Sequence, residues 1–393
     1  MPGFYEYCGM QKFSAEIPLS LYIHIPWCVR KCPYCDFNSH AARDTIPEDL
    51  YVEALLQELD QQIIHLENRP IISIFFGGGT PSLFTPQAIE KILAGVQRRL
   101  RLTTNIEITL EANPGTVDEA RFAGFRQAGV NRLSIGIQSL QNEKLQALGR
   151  IHHREHALRA VDAAINAGFD NFNLDFMHGL PGQSIADALD DLNDGLAFQP
   201  PHLSWYQLTI EPNTFFHHQP PILPQDDILW EIQERGKSIL DQAGLNQYEI
   251  SAYAQPKREC IHNINYWEFG DYLGIGAGAH SKITNTEKHI IMRHSQVKNP
   301  RDYLNLQKKF ITSPTILTEK DICFEFMLNA LRLTRGVSCD LFTARTGLDI
   351  NALEPILSFA KEKKLMVNNK NILCATEMGQ RFLNNVIGLF LPG

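Results

Sequence analysis

The 393-residue chain has no apolar run approaching the eighteen or so residues that a membrane helix needs. Its start, MPGFYEYCGMQKFSAEIP, lacks both the cationic beginning and the apolar stretch of a secretory leader, so a cytoplasmic protein is expected. Positive charge is also in short supply. Against 44 Asp+Glu stand 36 Lys+Arg, a formal charge of −8, which argues against broad binding to nucleic acid through neutralised phosphates. With 44% hydrophobic and 20% charged residues the composition is that of an ordinary globular protein, which excludes disorder, collagen and coiled coil. The length suits two or three domains, one of them large enough to be a barrel.

Paired cysteines are missing too. The eight cysteines stand at positions 8, 28, 32, 35, 260, 323, 339 and 374, and a disulfide framework is not expected in a long chain without an export signal. Three of them crowd into eight consecutive residues, which reads as a metal site. Cys8, Cys260, Cys323, Cys339 and Cys374 have no role that the pattern assigns.

Between Leu19 and about Thr209, β-rich runs alternate with helix-period segments. The expected strands are Leu19–Ile25, Ile71–Phe76, Asn105–Glu111, Arg132–Gly136, Asn171–Phe176 and His202–Thr209, rich in the residues of buried parallel strands. In the first helical segment Pro47 takes an early position, and Leu55, Leu59 and Ile63 share one face. Six βα units in series imply an α/β fold with a parallel sheet, open or closed into a full or partial barrel. Nearly every strand runs into a Gly/Pro-rich or polar segment: IPWC, GGGTPS, EANPG, GIQS, MHGLPG, IEPNT. Gly and Pro also punctuate ordinary turns, but in βα barrels such loops carry the site.

From Gly244 to Gly278 periodicity breaks into an aromatic, glycine-rich stretch, and the character changes again near Asn299-Pro300. The expected organisation is an N-terminal extension over 1–18, a barrel over 19–298 and a C-terminal domain over 299–393. In the last segment, helices are expected at Glu319–Leu333, Cys339–Thr346 and Asn351–Lys363, then a hairpin pairing Leu365–Asn368 with Asn371–Cys374, and a helix from Met378 to Val386. Such an α-rich order is winged-helix-like. The recognition segment NALEPILSFAKEK has no Arg and few base-reading side chains, so a structural or docking role is expected in place of DNA reading.

The informative string is Tyr22-Ile-His24-Ile-Pro26-Trp-Cys28-Val-Arg-Lys-Cys32-Pro-Tyr34-Cys35-Asp36-Phe37. Its C-x3-C-x2-C spacing at the end of the first strand puts three thiolates in one loop, enough for three corners of a cubane iron–sulfur cluster. A structural zinc site needs four protein ligands, commonly two separated pairs, and no second pair exists here.

This motif, after the first strand of a βα barrel, resembles the radical S-adenosylmethionine (SAM) superfamily. The resemblance implies a partial (β/α)6 TIM-like barrel and a [4Fe-4S] cluster held by Cys28, Cys32 and Cys35. The open iron of that cluster is chelated by SAM, whose reductive cleavage yields a 5′-deoxyadenosyl radical. Gly77-Gly78-Gly79-Thr80-Pro81 matches the family's glycine motif, where a backbone edge free of side chains approaches the SAM amino group. The likeness narrows to the oxygen-independent coproporphyrinogen III oxidase-like branch through YIHIPWC, GGGTPS, LEANPG, RLSIGIQS, LGR-x-H and D-x-MHGLPGQ, spread over most of the chain. It implies that Tyr22, Gly78 and Glu111 contact the cluster-bound SAM. Positions for a second SAM fall on Tyr34, Gly79, Thr80, Gln138, Arg150, Asp175 and Thr209. Taken singly, Gln138 could cap a helix, and Arg150 could pair with Asp175.

One position departs from the oxidases, which carry a further cysteine two residues after the third; here Phe37 stands there. With the H-N-x-x-Y-W motif of His262, Asn263, Tyr266 and Trp267, Phe37 resembles the heme chaperone subgroup, HemW. That implies binding of heme and its delivery to apo-hemoprotein acceptors such as respiratory enzymes. His262 offers an imidazole for the iron, with Cys260 and His280 as alternatives. Tyr266 and Trp267 either pack on the macrocycle or fill a core. A heme passed between surfaces suits transient self-association, and contact with membrane-bound acceptors would be peripheral. The competing function is a radical SAM oxidoreductase acting on a porphyrinogen.

Overall fold

A computed structural model describes residue 13 and residues 16–42, 44–305, 310 and 313–392. Cys8 and most of the expected N-terminal extension lie outside the described residues.

Six strands form the centre: β1 (Leu19–Ile25), β2 (Ile71–Gly78), β3 (Leu102–Ala112), β4 (Arg132–Gln138), β5 (Phe172–His178) and β6 (His202–Gln207). Each pairs in parallel with the next, as six βα units in series require. The connecting helices are α1 (Glu48–Gln62), α2 (Pro86–Gln97), α3 (Glu119–Ala128), α4 (Arg154–Asn166) and α5 (Ile185–Leu196), with α6 (Asp226–Gln242) after β6. Pro47 stands one residue before α1, and Leu55 and Leu59 are fully buried on its inner face. Thr85 caps α2 by accepting the Ala88 N–H at 3.2 Å, and α3 stops at Gly129, whose φ of 112° suits glycine. The core between strands and helices includes Leu21, Ile23, Phe76, Leu110, Leu133 and Phe125, all without exposed surface.

The sheet is larger than the sequence pattern suggests. Beyond β6 come β7 (Asn246–Glu249), β8 (Ala252–Ala254), β9 (Asp271–Ile275), β10 (His280–Asn285), β11 (Ile290–Ser295) and β12 (Thr315–Ile316). The described order is β12-β11-β10-β9-β1-β2-β3-β4-β5-β6-β8-β7. Strand β9 lies parallel to β1, whereas the outer strands are antiparallel. The stretch from Gly244 to Gly278 thus holds three strands and the helix α7 (Ile261–Trp267). Elements of three to seven residues are too short to print a hydrophobic period.

The C-terminal part builds a second core around Phe326, Met327, Phe342, Leu357 and Val386. Its helices are α8 (Glu319–Ala330), α9 (Cys339–Thr346) and α10 (Ile356–Glu362). The expected hairpin is reduced to one bridge between Met366 and Ala375; the short ladder instead joins Val337–Ser338 to Ile372–Leu373. The expected last helix breaks at Phe382 into Glu377–Arg381 and Leu383–Gly388. No helix among the described residues is long and apolar enough to cross a membrane.

Candidate functional site

The loop after β1 is held as a closed unit. His40 N–H donates to Pro26 O at 2.7 Å and Ala42 N–H to Cys28 O at 2.8 Å, so Trp27-Cys28 pairs with His40-Ala41. The glycine loop after β2 is clasped to it: Gly79 N–H reaches Ile25 O and Thr80 N–H reaches Trp27 O, both at 2.7 Å. A Cβ on Gly79 would stand 2.5 Å from Trp27 O, so only glycine permits this approach.

Cys28, Cys32 and Cys35 all line one cavity of about 580 Å3. Burial pushes the Cys28 and Cys35 thiols up, so they ionise when a metal takes the proton's place. Among the described residues, the only three metal-ligating side chains whose donor atoms all lie within 4.8 Å of one another are Glu107, Cys260 and His262. Three thiols in one short loop suit three corners of a cubane cluster, whereas a structural zinc takes four protein ligands.

The same cavity is lined by Tyr34, Gly78, Gly79, Thr80, Glu111, Gln138, Arg150, Asp175 and Thr209. Tyr22 lines the neighbouring cavity, with its hydroxyl 2.8 Å from His24 Nδ1. Glu111 accepts the Gly78 N–H at 3.2 Å. Burial, reinforced by Asp175, pushes the Glu111 carboxyl up to about 8. Burial also raises Asp175, which accepts from Ser134 Oγ and Asn173 Nδ2, each at 2.8 Å. Such carboxyls are primed to ionise against a cation. Gln138 caps no helix: it sits at the end of β4 with φ of 68°, accepting the Tyr206 hydroxyl at 2.8 Å. Nor does Arg150 pair with Asp175. Its Nη2 donates to Gly136 O at 2.9 Å, Nη1 lies 3.8 Å from Cys32 Sγ, and its buried Nε has no partner among the described residues. A buried guanidinium beside the cavity, with one N–H still without a partner among the described residues, brings fixed positive charge to its wall.

A second cavity, about 950 Å3, adjoins the first; both are lined by Asp36, Phe37, Gly78, Glu111, Glu211 and Trp267. Phe37 is 57% exposed on the shared wall. Tyr266 and Trp267 line this cavity, as does His280, whose exposed imidazole has no hydrogen-bond partner among the described residues. His262 lines neither cavity. It is buried at the start of α7, its Nδ1 2.8 Å from Glu107 Oε1 and 2.9 Å from Cys260 Sγ, with its ring 4.2 Å from that of Phe75. Glu107 also accepts the N–H groups of Ile261 and His262, at 3.1 and 3.2 Å, and so caps α7. Sequence reasoning missed Ser134 and Tyr206, which hold the lining residues Asp175 and Gln138, and Glu107, which holds His262. Their signal was alternation along β3, β4 and β6 that points them inward.

The family model described as the radical SAM superfamily matches residues 22–195, and the HemN C-terminal domain matches residues 317–382. The heme chaperone HemW of Escherichia coli (strain K12) is 49% identical over 374 residues, 95% of this chain and 98% of that one. The heme chaperone HemW of Bacillus subtilis (strain 168) is 34% identical, over 95% and 99% of the two chains. Coproporphyrinogen III oxidase (HemN) from Escherichia coli has a solved structure with TM-score 0.80 to this chain, at 22% identity over 95% of this chain and 90% of that one. That likeness is one of fold.

Proposed function

The chain belongs to the heme chaperone HemW family of the radical SAM superfamily, and from that premise we propose that it binds heme and hands it to apo-hemoproteins. Membership of the superfamily implies a [4Fe-4S] cluster and SAM. Cys28, Cys32 and Cys35 would hold the cluster. Glu111 and Asp175 would meet the positive charge of SAM, Gly78 and Gly79 would admit it to the backbone, and Arg150, Gln138, Tyr34, Thr80 and Thr209 would enclose it. When bound, such a cluster supplies one-electron redox chemistry at an iron open to SAM.

The observation that carries the reading is the second cavity. It is at the upper end of ligand-site volumes, roughly 300–1,000 Å3, and Tyr266, Trp267 and Phe37 give it aromatic walls. Phe37 supplies ring surface where the oxidases of this branch have a thiol. In this conformation the imidazole open to heme iron is that of His280, because both His262 nitrogens point into the Glu107–Cys260 contact. One exposed axial ligand suits cargo that must leave. Acceptors among respiratory enzymes would be met from the cytoplasmic side as peripheral contacts, in passing encounters that could include a second copy of the chain.

Anaerobically reconstituted protein, supplied with SAM and reductant, tests this against coproporphyrinogen III and against heme in parallel. Saturable appearance of a bound-heme Soret band with porphyrinogen left unconsumed is expected. Decarboxylation of coproporphyrinogen III would put the oxidoreductase in the chaperone's place.

A further inference from the structure

The charges around the second cavity are segregated. Its acidic lining residues, Asp36, Glu111 and Glu211, all belong to the wall shared with the cysteine cavity. The residues that line this cavity alone include the cations Lys31, Lys298, Lys282 and Arg293 and no carboxylate. Two of these are already committed. Lys282 is buried and 2.8 Å from Asp271, and Arg293 donates to Glu325 at 2.8 Å.

Lys31 and Lys298 are not. Both are exposed, and neither ammonium has a carboxylate partner among the described residues. The Lys31 ammonium donates to Phe37 O at 2.9 Å. The Lys298 carbonyl accepts from Asn38 Nδ2 at 2.9 Å, so the two lysines flank the dipeptide Phe37-Asn38. His40 lies between them. Burial lowers its pKa first, the Lys31 charge lowers it further, and it makes a backbone contact with Lys298. His280 likewise is lowered by burial and then by Lys298 and Arg293.

We infer that Lys31 and Lys298 form a clamp for two carboxylates on one edge of a planar apolar ligand, and that on the chaperone reading these are the two propionates of heme. Aromatic wall and cationic rim then read opposite ends of one amphipathic molecule. The clamp sets the macrocycle's orientation, with the propionate edge toward the Lys31 and Lys298 ammonium groups and the rings against the aromatic wall of Phe37, Tyr266 and Trp267. Charge-assisted contacts at an exposed rim also release readily, as cargo transfer requires.

The test uses full-length, cluster-reconstituted protein titrated with heme and with heme dimethyl ester, in which both carboxylates are capped. Wild-type protein should prefer heme, and K31Q/K298Q should lose roughly ten- to a hundredfold in heme affinity while binding the ester as before. Lys298→Gln alone, outside the cysteine loop, should lose part of that preference with iron and sulfide content unchanged. Equal wild-type affinity for the two ligands, or an unchanged preference in K31Q/K298Q, would overturn the clamp and leave the chaperone reading standing. If wild-type protein binds neither ligand, both fall.

Discussion

Glu111 is a carboxyl kept protonated by burial until something positive arrives. Its pKa is raised from 4.5 to about 8 by burial first and Asp175 second. Raised acids bind protons more tightly folded than unfolded, so this group's contribution makes the ligand-free fold lose stability as pH rises from about 4.5 toward 8. A bound cation reverses the preference. SAM affinity should therefore rise with pH up to about 8, by as much as roughly tenfold per unit, and release about one proton per ligand below it. Isothermal titration in buffers of different ionisation enthalpy measures both, and Glu111→Gln should flatten the profile. A flat wild-type profile would remove Glu111 from the cation's contacts. The two histidines make a second residue-scale comparison. His280→Ala should alter the Soret band and weaken heme binding about tenfold or more, whereas His262→Ala should act mainly on stability by leaving Glu107 buried without its imidazole. The opposite pattern in absorption spectra and melting curves would return the ligand to His262 and require α7 to turn.

At the scale of elements, the six parallel strands were legible because β-rich runs alternate with helix-period segments, whereas their sequential order was not, since that pattern suits an open sheet as well as a barrel. The strand ends were legible through their Gly/Pro motifs. The antiparallel extension was not. Its strands are held by contacts remote in sequence, above all the fully buried Asp271 in β9, which meets Arg69 and Lys282 at 2.8 Å each. No local pattern announces a three-membered buried ion cluster. Burial raises the Asp271 carboxyl, but Lys282 and Arg69 outweigh this and hold it below its ordinary value. The resulting stabilisation is present above the unfolded carboxyl's pKa and is lost as pH falls through the folded one. Asp271→Ala strands two buried cations and should cost about 3–5 kcal/mol in denaturant unfolding. A loss below 1 kcal/mol would show that water reaches the cluster. The burial of His262 was equally hidden, since its partner Glu107 lies 155 residues away on β3.

Across the whole molecule, one sheet supports two adjoining cavities, and Phe37 stands between them. On one side, thiols and primed carboxyls suit a cluster and a cationic cofactor; on the other, aromatic rings, the exposed His280 imidazole and two exposed lysines suit an amphipathic dicarboxylate. On the proposed function, cargo and cofactor would share a wall without sharing a pocket, which would let a chain of the radical SAM superfamily serve as a carrier. Heme transfer is tested most directly by mixing heme-loaded protein with an apo-hemoprotein and separating the two before recording their spectra. The heme band is expected to leave this chain and appear on the acceptor faster than when the same heme is first captured by a scavenging globin. Heme that stays on the chain, or reaches the acceptor only at the rate of its release into solution, would contradict the account.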